Sequence, residues 1–340
     1  MEMAIAIALF IVGLLLLIKG GDWFVDGATG IAHRFHIPEL LIGATIVSIG
    51  TTLPEVMVSA TDAFSGKGQI AYGNAIGSII CNTSLIAAIT VAIRPSSIDR
   101  KTIRIPIAFF FGSAVIYSLV AYTTGYFSRL VGFGLLAIFV VYIVLSALRA
   151  RKSLVAEANV GRICGEGGDS VEVEDADEVA EKASPVWKDI VLLVIGAALI
   201  ALGANLLVNN GTIIAEKLGV PEAVIALTFV ALGTSLPEFV TAITSLVKGH
   251  GSLSLGNIIG ANLFNLVLVS GVATVVSPFP IPNNNQIMGI NSSLFVDIPV
   301  MFCVMLILTV PALIRGKLSR IQGIALLAIY AAFCVFQFTM

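Results

Sequence analysis

Apolar residues run along this chain in long blocks separated by short polar stretches. A helix needs about 20 apolar residues to cross a bilayer. Ten blocks have that length, at 3–22, 39–65, 69–93, 103–124, 128–149, 186–208, 221–247, 252–277, 290–314 and 321–340. The first is read as a true helix rather than a secretion signal. It has neither a basic leader nor a small-residue cleavage site, and Lys19 closes its far end.

Lys and Arg sort between the connections. Fifteen fall on one side, namely Arg34, Arg94, Arg100, Lys101, Arg104, Arg149, Arg151, Lys152, Arg162, Lys182, Lys188, Lys248, Arg315, Lys317 and Arg320. The other side has three, Lys67, Arg129 and Lys217. Positive charge marks the cytoplasmic face. The expected topology has both termini outside and the 150–185 loop in the cytoplasm, in a multi-pass plasma-membrane protein.

Two blocks interrupt their apolar pattern in the same way, with "GTTLPE" at 50–55 and "GTSLPE" at 233–238. Sliding the chain by 183 residues aligns 38–82 with 221–265 without a gap, and 18 of the 45 positions are identical. The matches are not generic apolar ones. They include Pro38/Pro221, Glu39/Glu222, Pro54/Pro237, Glu55/Glu238, Gly73/Gly256, Asn74/Asn257, Gly77/Gly260 and Asn82/Asn265. Five segments precede the junction and five follow it, so the second copy enters from the opposite face. Repeats of that kind place a binding site at their interface near the midplane. The expected fold is an all-α integral membrane protein of ten transmembrane helices in two inverted five-helix repeats. Residues 1–149 form the first repeat, 186–340 the second, and 150–185 an acidic linker.

Composition supports a membrane chain. Of 340 residues, 57% are hydrophobic and 12% charged, and the mean hydropathy is +1.00, more apolar surface than a water-soluble fold can hide. The net charge of −2 points to no partner, and no nucleic acid is expected. Cys81, Cys164, Cys303 and Cys334 are scattered without metal-ligand spacing. The three histidines fall in expected loops, which leaves no imidazole for chemistry inside the membrane. The linker carries nine carboxylates between Glu157 and Glu181 and reads as a solvated connector. Its spacing is not that of a calcium-binding helix–loop–helix.

The interrupted blocks carry the candidate chemistry. Proline in a helix lacks the N–H needed by the carbonyl four residues back. Pro54 should free the carbonyl of Gly50 and Pro237 that of Gly233, and glycine there eases unwinding. Irregular backbone at membrane depth survives only where it lines an enclosed or watery cavity. Thr51, Thr52, Thr234 and Ser235 add hydroxyl oxygens, and Glu55 and Glu238 add charge. A carboxylate at the bilayer centre costs about 2.5–3.5 kcal/mol on insertion scales, so an acid there is functional by default. Two acids meeting in one cavity repel unless a cation or a proton lies between them. Gly73/Gly77 and Gly256/Gly260 are read first as packing positions, and Asn82 and Asn265 as lining a polar cavity. These hard oxygen donors suit Ca²⁺ or Na⁺ and disfavour copper or zinc. Glu39 and Glu222 are read as helix N-terminal acids facing water, and Asp22 and Asp26 as interfacial.

"GTTLPE…GNAIGSIICN" and "GTSLPE…GNIIGANLFN" resemble the α-repeats of the sodium/calcium exchangers, in the cation/calcium antiporter superfamily. The resemblance covers all ten segments in layout and is most specific over 38–86 and 221–269. It implies a ten-helix inverted repeat in which Na⁺ and Ca²⁺ compete for midplane sites under alternating access. Carried onto this chain, it implies that Glu55 and Glu238 serve both ions. It further implies that Thr51 and Thr234 offer backbone carbonyls to Ca²⁺, and Ser48 and Ala231 carbonyls to Na⁺. Thr52, Ser235 and Ser78 would add hydroxyls, with Asn82 and Asn265 at the centre. Some prokaryotic members and the potassium-dependent branch have Asp where this chain has Asn265, so a third carboxylate is missing here, which leans against a potassium requirement. Ala261 stands opposite Ser78 and removes a hydroxyl usual in the second repeat. Calcium/proton exchangers of the superfamily carry an acid where this chain reads "AIGS" and "IIGA".

The expected function is secondary antiport of Na⁺ against Ca²⁺, electrogenic and independent of K⁺, with no cofactor and a monomer sufficient. Ca²⁺/H⁺ exchange is the alternative. An intramembrane protease would need a Ser/His pair or paired Asp residues in the membrane, and Asp62 and Asp297 lie near segment ends. A passive channel does not need matched midplane acids in inverted repeats.

Overall fold

The computed structural model describes residues 2–95, 97–165, 185–219, 233–282, 286–287 and 289–339. It is built of helices α1 (Glu2–Arg34), α2 (Glu39–Phe64), α3 (Gly68–Ile93), α4 (Arg100–Thr123), α5 (Arg129–Gly165), α6 (Val186–Lys217), α7 (Leu236–Val247), α8 (Gly251–Val276), α9 (Ser293–Arg315) and α10 (Arg320–Thr339). Among the described residues nine of these are long and apolar enough to cross a membrane, all but α7. The start of the expected 221–247 span, with Pro221 and Glu222, lies outside the described residues, as does 166–184 of the expected linker.

The helices sort by enclosure. α3 and α8 are the most buried, whereas α1, α5, α6 and α10 turn most of their surface outward. The outward faces carry Leu15, Ile18, Leu130, Val194 and Ile321, as expected of helices whose solvent is lipid.

α1 and α6 pack side by side over much of their length, through glycines seven residues apart. A Cβ on Gly13 would lie 2.9 Å from the Gly203 carbonyl, and one on Gly20 would lie 3.0 Å from that of Gly196. A Cβ on Gly203 would in turn lie 2.7 Å from the Gly13 carbonyl. The contacts rise along one helix as they fall along the other, so the pair is antiparallel. Small residues allow backbones in lipid to approach this closely. This seam explains why α1 runs to Arg34 rather than ending near 22. Gly20 and Gly21 are contact positions, the latter facing Thr244, and not helix breakers. Asp22 and Asp26 are held inside the helix by Lys248, whose Nζ lies 3.4 Å and 2.7 Å from their carboxylates. α6 and α5 likewise outrun their expected ends at 208 and 149.

The turns after α2 and α7 share one geometry. Gly66 and Gly249 adopt left-handed φ values of 76° and 91°. The next residue in each turn, Lys67 or His250, donates its N–H to the carbonyl of Asp62 or Ser245. This is a glycine-terminated helix end. Two readings change at the end of α1 and the start of α2. His33 is in the last turn of α1, not in a loop. Glu39 does not simply face water: its side chain is 22% exposed and its Oε1 is 2.7 Å from Nδ1 of His250. At the start of α4, Asp99 accepts from the N–H groups of Lys101 and Thr102 and from the Thr102 hydroxyl. These bonds hold its carboxyl below the usual carboxylate range.

Two short antiparallel pairs close the connections, β1 (Tyr126–Phe127) with β2 (Phe279–Pro280) and β3 (Gln286–Ile287) with β4 (Ile290–Asn291). Phe127 stacks on Phe279 and packs on Tyr117, which stacks on Tyr72 of α3. This aromatic column packs against the half of α3 that begins with Gly68.

Candidate functional site

Polar residues in α2 fall on one face. Ser48, Thr51, Thr52, Glu55 and Ser59 recur at helical spacing and are all buried, while Leu53, Met57 and Val58 are exposed on the opposite side. The turn before α7 supplies Ser235 and α7 itself Glu238, α3 supplies Ser78 and Asn82, and α8 supplies Asn257 and Asn265. Every one of these side chains is at most 5% exposed. Thr234 is half-buried, and Ala231 lies outside the described residues.

The backbone does not break where proline suggests. Ser48–Phe64 is α-helical through Pro54, so the expected unwinding at Gly50 is absent. Gly50 has a packing role instead, since a Cβ there would lie 3.0 Å from the Phe24 ring. The irregularity of α2 comes one turn earlier, in a π-helical stretch at Gly43–Val47. Side chains satisfy the displaced carbonyls. Ser48 Oγ is 2.7 Å from the Gly43 carbonyl and 2.9 Å from that of Asn257, and the Tyr142 hydroxyl donates to the Ala44 carbonyl at 2.8 Å. In the second half Pro237 helps to start a helix. Residues 233–235 form a turn, and Pro237 sits at the beginning of α7, where a missing N–H costs nothing. The Gly233 carbonyl is not free, because Leu236 N–H donates to it at 3.4 Å. Glu238 therefore lies in a helix's first turn, where the macrodipole favours an anion.

α3 and α8 each carry a π-helical stretch as well, and each begins at one of the paired asparagines, at Asn82–Ala87 and Asn265–Val269. Such insertions re-aim side chains and frequently mark functional positions.

The structure links several of these residues to one another. Thr52 donates to Glu238 Oε1 at 3.4 Å, which links α2 to α7. Ser78, Asn265 and Ser235 flank the Glu55 carboxylate, and Glu55 lies within electrostatic range of Glu238. Thr51 donates to Asn257 Oδ1 at 3.2 Å, and Thr234 to Asn74 Oδ1 at 3.4 Å. Both Glu55 oxygens, Glu238 Oε2, Ser235 Oγ and both polar atoms of Asn82 and Asn265 are buried without a hydrogen-bond partner. That density of unsatisfied oxygen is costly for a folded interior. These oxygens have the hard-donor chemistry that Ca²⁺ and Na⁺ prefer, and two carboxylates could balance a divalent charge.

A cavity of about 450 Å³ reaches this cluster along α3, past Gly73, Asn74, Gly77 and Ser78. Among the described residues nothing lies within 4 Å of a Cβ built on Gly73 or Gly77. Their counterparts on α8 are closed against α2. A Cβ on Gly256 would collide with the Leu40 carbonyl oxygen, and one on Gly260 would lie 2.7 Å from Ala44 Cα.

Sequence reasoning omitted Asn74 and Asn257 from the site, although their matched recurrence in both copies was the available signal. It also missed a separate buried cluster. Asn262 donates to Thr83 at 2.7 Å, and Met305 Sδ lies 3.2 Å from both. Asn262 and Thr83 align with Ile79 and Leu266, so no repeat match marked them.

Comparison with known proteins agrees with the geometry. The family described as "Sodium/calcium exchanger protein" matches residues 5–148 and 188–339. The putative antiporter CaxA of Alkalimonas amylolytica is 33% identical over 99% of each chain. The sodium/calcium exchanger MaX1 of Methanosarcina acetivorans is 29% identical over 97% of each. Structures of the sodium-calcium exchanger NCX_Mj superpose with a TM-score of 0.77 at 30% identity, covering 98% of this chain and 99% of theirs.

Proposed function

This chain belongs to the sodium/calcium exchanger protein family of multi-pass membrane transporters, and on that footing we propose that it exchanges Na⁺ for Ca²⁺ by alternating access at the Glu55/Glu238 cluster. The observation that carries the reading is the pair of fully buried carboxylates on α2 and α7, within range of one another and short of hydrogen bonds. Such a pair is tolerable only when a cation or protons neutralise it. Glu55 and Glu238 are the shared charged ligands. Thr52, Ser235 and Ser78 supply hydroxyls, Thr51, Thr234, Ser48 and Ala231 backbone carbonyls, and Asn82 and Asn265 the centre.

The chain is taken as two inverted five-helix repeats, 1–149 and 186–340, joined by the 150–185 linker. Four pairings at the 183-residue offset support this. They are the reciprocal α1/α6 glycine contacts, the Thr51–Asn257 and Thr234–Asn74 bonds, the Gly66 and Gly249 turns, and the π-helical starts at Asn82 and Asn265. The Lys/Arg distribution supports both termini outside the plasma membrane, and with that orientation the α3 cavity faces outward. Transport is taken as electrogenic, which requires more than two Na⁺ for each Ca²⁺, and Asn265 in place of a third carboxylate leaves K⁺ out of the cycle.

Isotopic Ca²⁺ uptake into proteoliposomes, with Na⁺, K⁺ and H⁺ gradients imposed one at a time, tests this function. Uptake should follow an outward Na⁺ gradient alone. Uptake driven by a pH gradient without Na⁺ would replace it with Ca²⁺/H⁺ exchange.

A further inference from the structure

Two cavities adjoin at the end of α3 that begins with Gly68. One, of about 450 Å³, ends on Ser78 beside Glu55; the other, of about 380 Å³, lies between α3, α9 and α10. They share Gly73, Gly77, Phe333 and Gln337 in their walls, so they form one vestibule. Among the described lining residues its charged groups are Asp62 in the first cavity and Asp297 in the second, while Lys67 lines a neighbouring cavity that meets the first at Ile70, so the acids outnumber the cation at this end. Asp297 is held in place, since Gln337 Nε2 donates to its Oδ1 at 2.9 Å. Both acids are half-buried, Asp62 near the end of α2 and Asp297 near the start of α9. The floor of this vestibule is the flank of a carboxylate that is fully buried and without a hydrogen-bond partner.

We propose that Asp62 and Asp297 form an acidic entry that concentrates cations at the mouth of the path to Glu55 and favours divalent over monovalent ones. Clefts with charge of one sign and low-dielectric walls focus the field and raise the local concentration of counter-ions. The enrichment is exponential in ion charge. A mouth potential that enriches Na⁺ by some factor enriches Ca²⁺ by that factor squared. The entry therefore biases the Na⁺/Ca²⁺ competition before either ion reaches a ligand. The inference rests on the exchange reading and extends it to residues remote from the ligand cluster.

The test is the double variant Asp62→Asn/Asp297→Asn in right-side-out and everted membrane vesicles. It compares the KM for Ca²⁺ with the inhibition constant for Na⁺. From the outer face the Na⁺ constant should weaken about twofold and the Ca²⁺ KM rise about fourfold, the square. From the inner face neither should move. Asp62→Glu/Asp297→Glu should behave as wild type, and raised ionic strength should shrink the difference between wild type and the Asn variant. Equal factors for both ions, changes from both faces, or an unaltered double variant would overturn the inference and leave exchange intact. Wild-type vesicles without Na⁺-dependent uptake would remove the exchange reading and this inference with it.

Discussion

The hydroxyl of Thr51 on α2 donates to Oδ1 of Asn257 on α8 across 3.2 Å. Displaced by 183 residues, Thr234 makes the same bond to Asn74 on α3 at 3.4 Å. Each bond crosses from one half of the chain to the other and pins a threonine whose backbone the proposed site uses.

If the bonds are equivalent, their energies should match. A hydrogen bond between neutral groups contributes about 0.5–1.5 kcal/mol net. Double-mutant cycles with Thr51→Val/Asn257→Leu and Thr234→Val/Asn74→Leu should give coupling energies of about that size, equal within error, when Ca²⁺ affinity is the readout. Coupling in one half only would mean that the two threonines differ in role.

The glycine seam between α1 and α6 gives a stability prediction. Gly13→Val and Gly203→Val each force the backbones apart, and overpacking of this kind costs about 1–3 kcal/mol. Thermal unfolding of the purified protein should show both destabilised. An exposed control such as Ile11→Val, on the outward face of α1, should stay within about 0.5 kcal/mol.

The unequal glycine faces of α3 and α8 predict opposite phenotypes. Gly260→Ala meets Ala44 Cα at 2.7 Å and should destabilise the protein. Gly77→Ala meets nothing within 4 Å among the described residues and should leave stability unchanged. If the α3 face must close as the α8 face is closed, Gly77→Ala should still slow exchange several-fold. Stopped-flow uptake beside an unchanged melting temperature reads this, and wild-type turnover would contradict it.

Potassium should be dispensable. Asn265 contributes no charge at the centre, so replacing all K⁺ by choline should leave Na⁺-driven Ca²⁺ uptake unaltered. Uptake that stops without K⁺ would show that a third carboxylate is not what K⁺ coupling requires.

Much of the site was legible because it violates what a bilayer accepts. Glu55, Glu238 and the asparagines are expensive in an apolar run, so their repetition at a fixed offset could not be a by-product of hydrophobicity. The backbone was less legible. Pro54 and Pro237 look alike in sequence, yet the first is carried inside a continuous helix and the second begins one. Whether a proline kinks, caps or rides along depends on the packing around it. The π-helical stretches left no local mark, because they answer to partners far off in the chain, such as Asn257 for Ser48 and Tyr142 for Ala44. The seam of Gly13, Gly20, Gly196 and Gly203 has a seven-residue spacing in the sequence, but only the partner helix gives that spacing a meaning. Glu39 drew its environment from His250, which no local pattern links to it.

The central claim is that Glu55 and Glu238 act as one charged cage for the transported ion. Taking one partner from a buried, charge-balanced group costs about 3–5 kcal/mol, more than about a hundredfold in affinity. Ca²⁺ uptake into Na⁺-loaded vesicles by Glu55→Gln and by Glu238→Gln tests it most directly, with folding verified by monodisperse elution and an unchanged melting temperature. Uptake should vanish in both. Normal exchange by either folded variant would contradict the account.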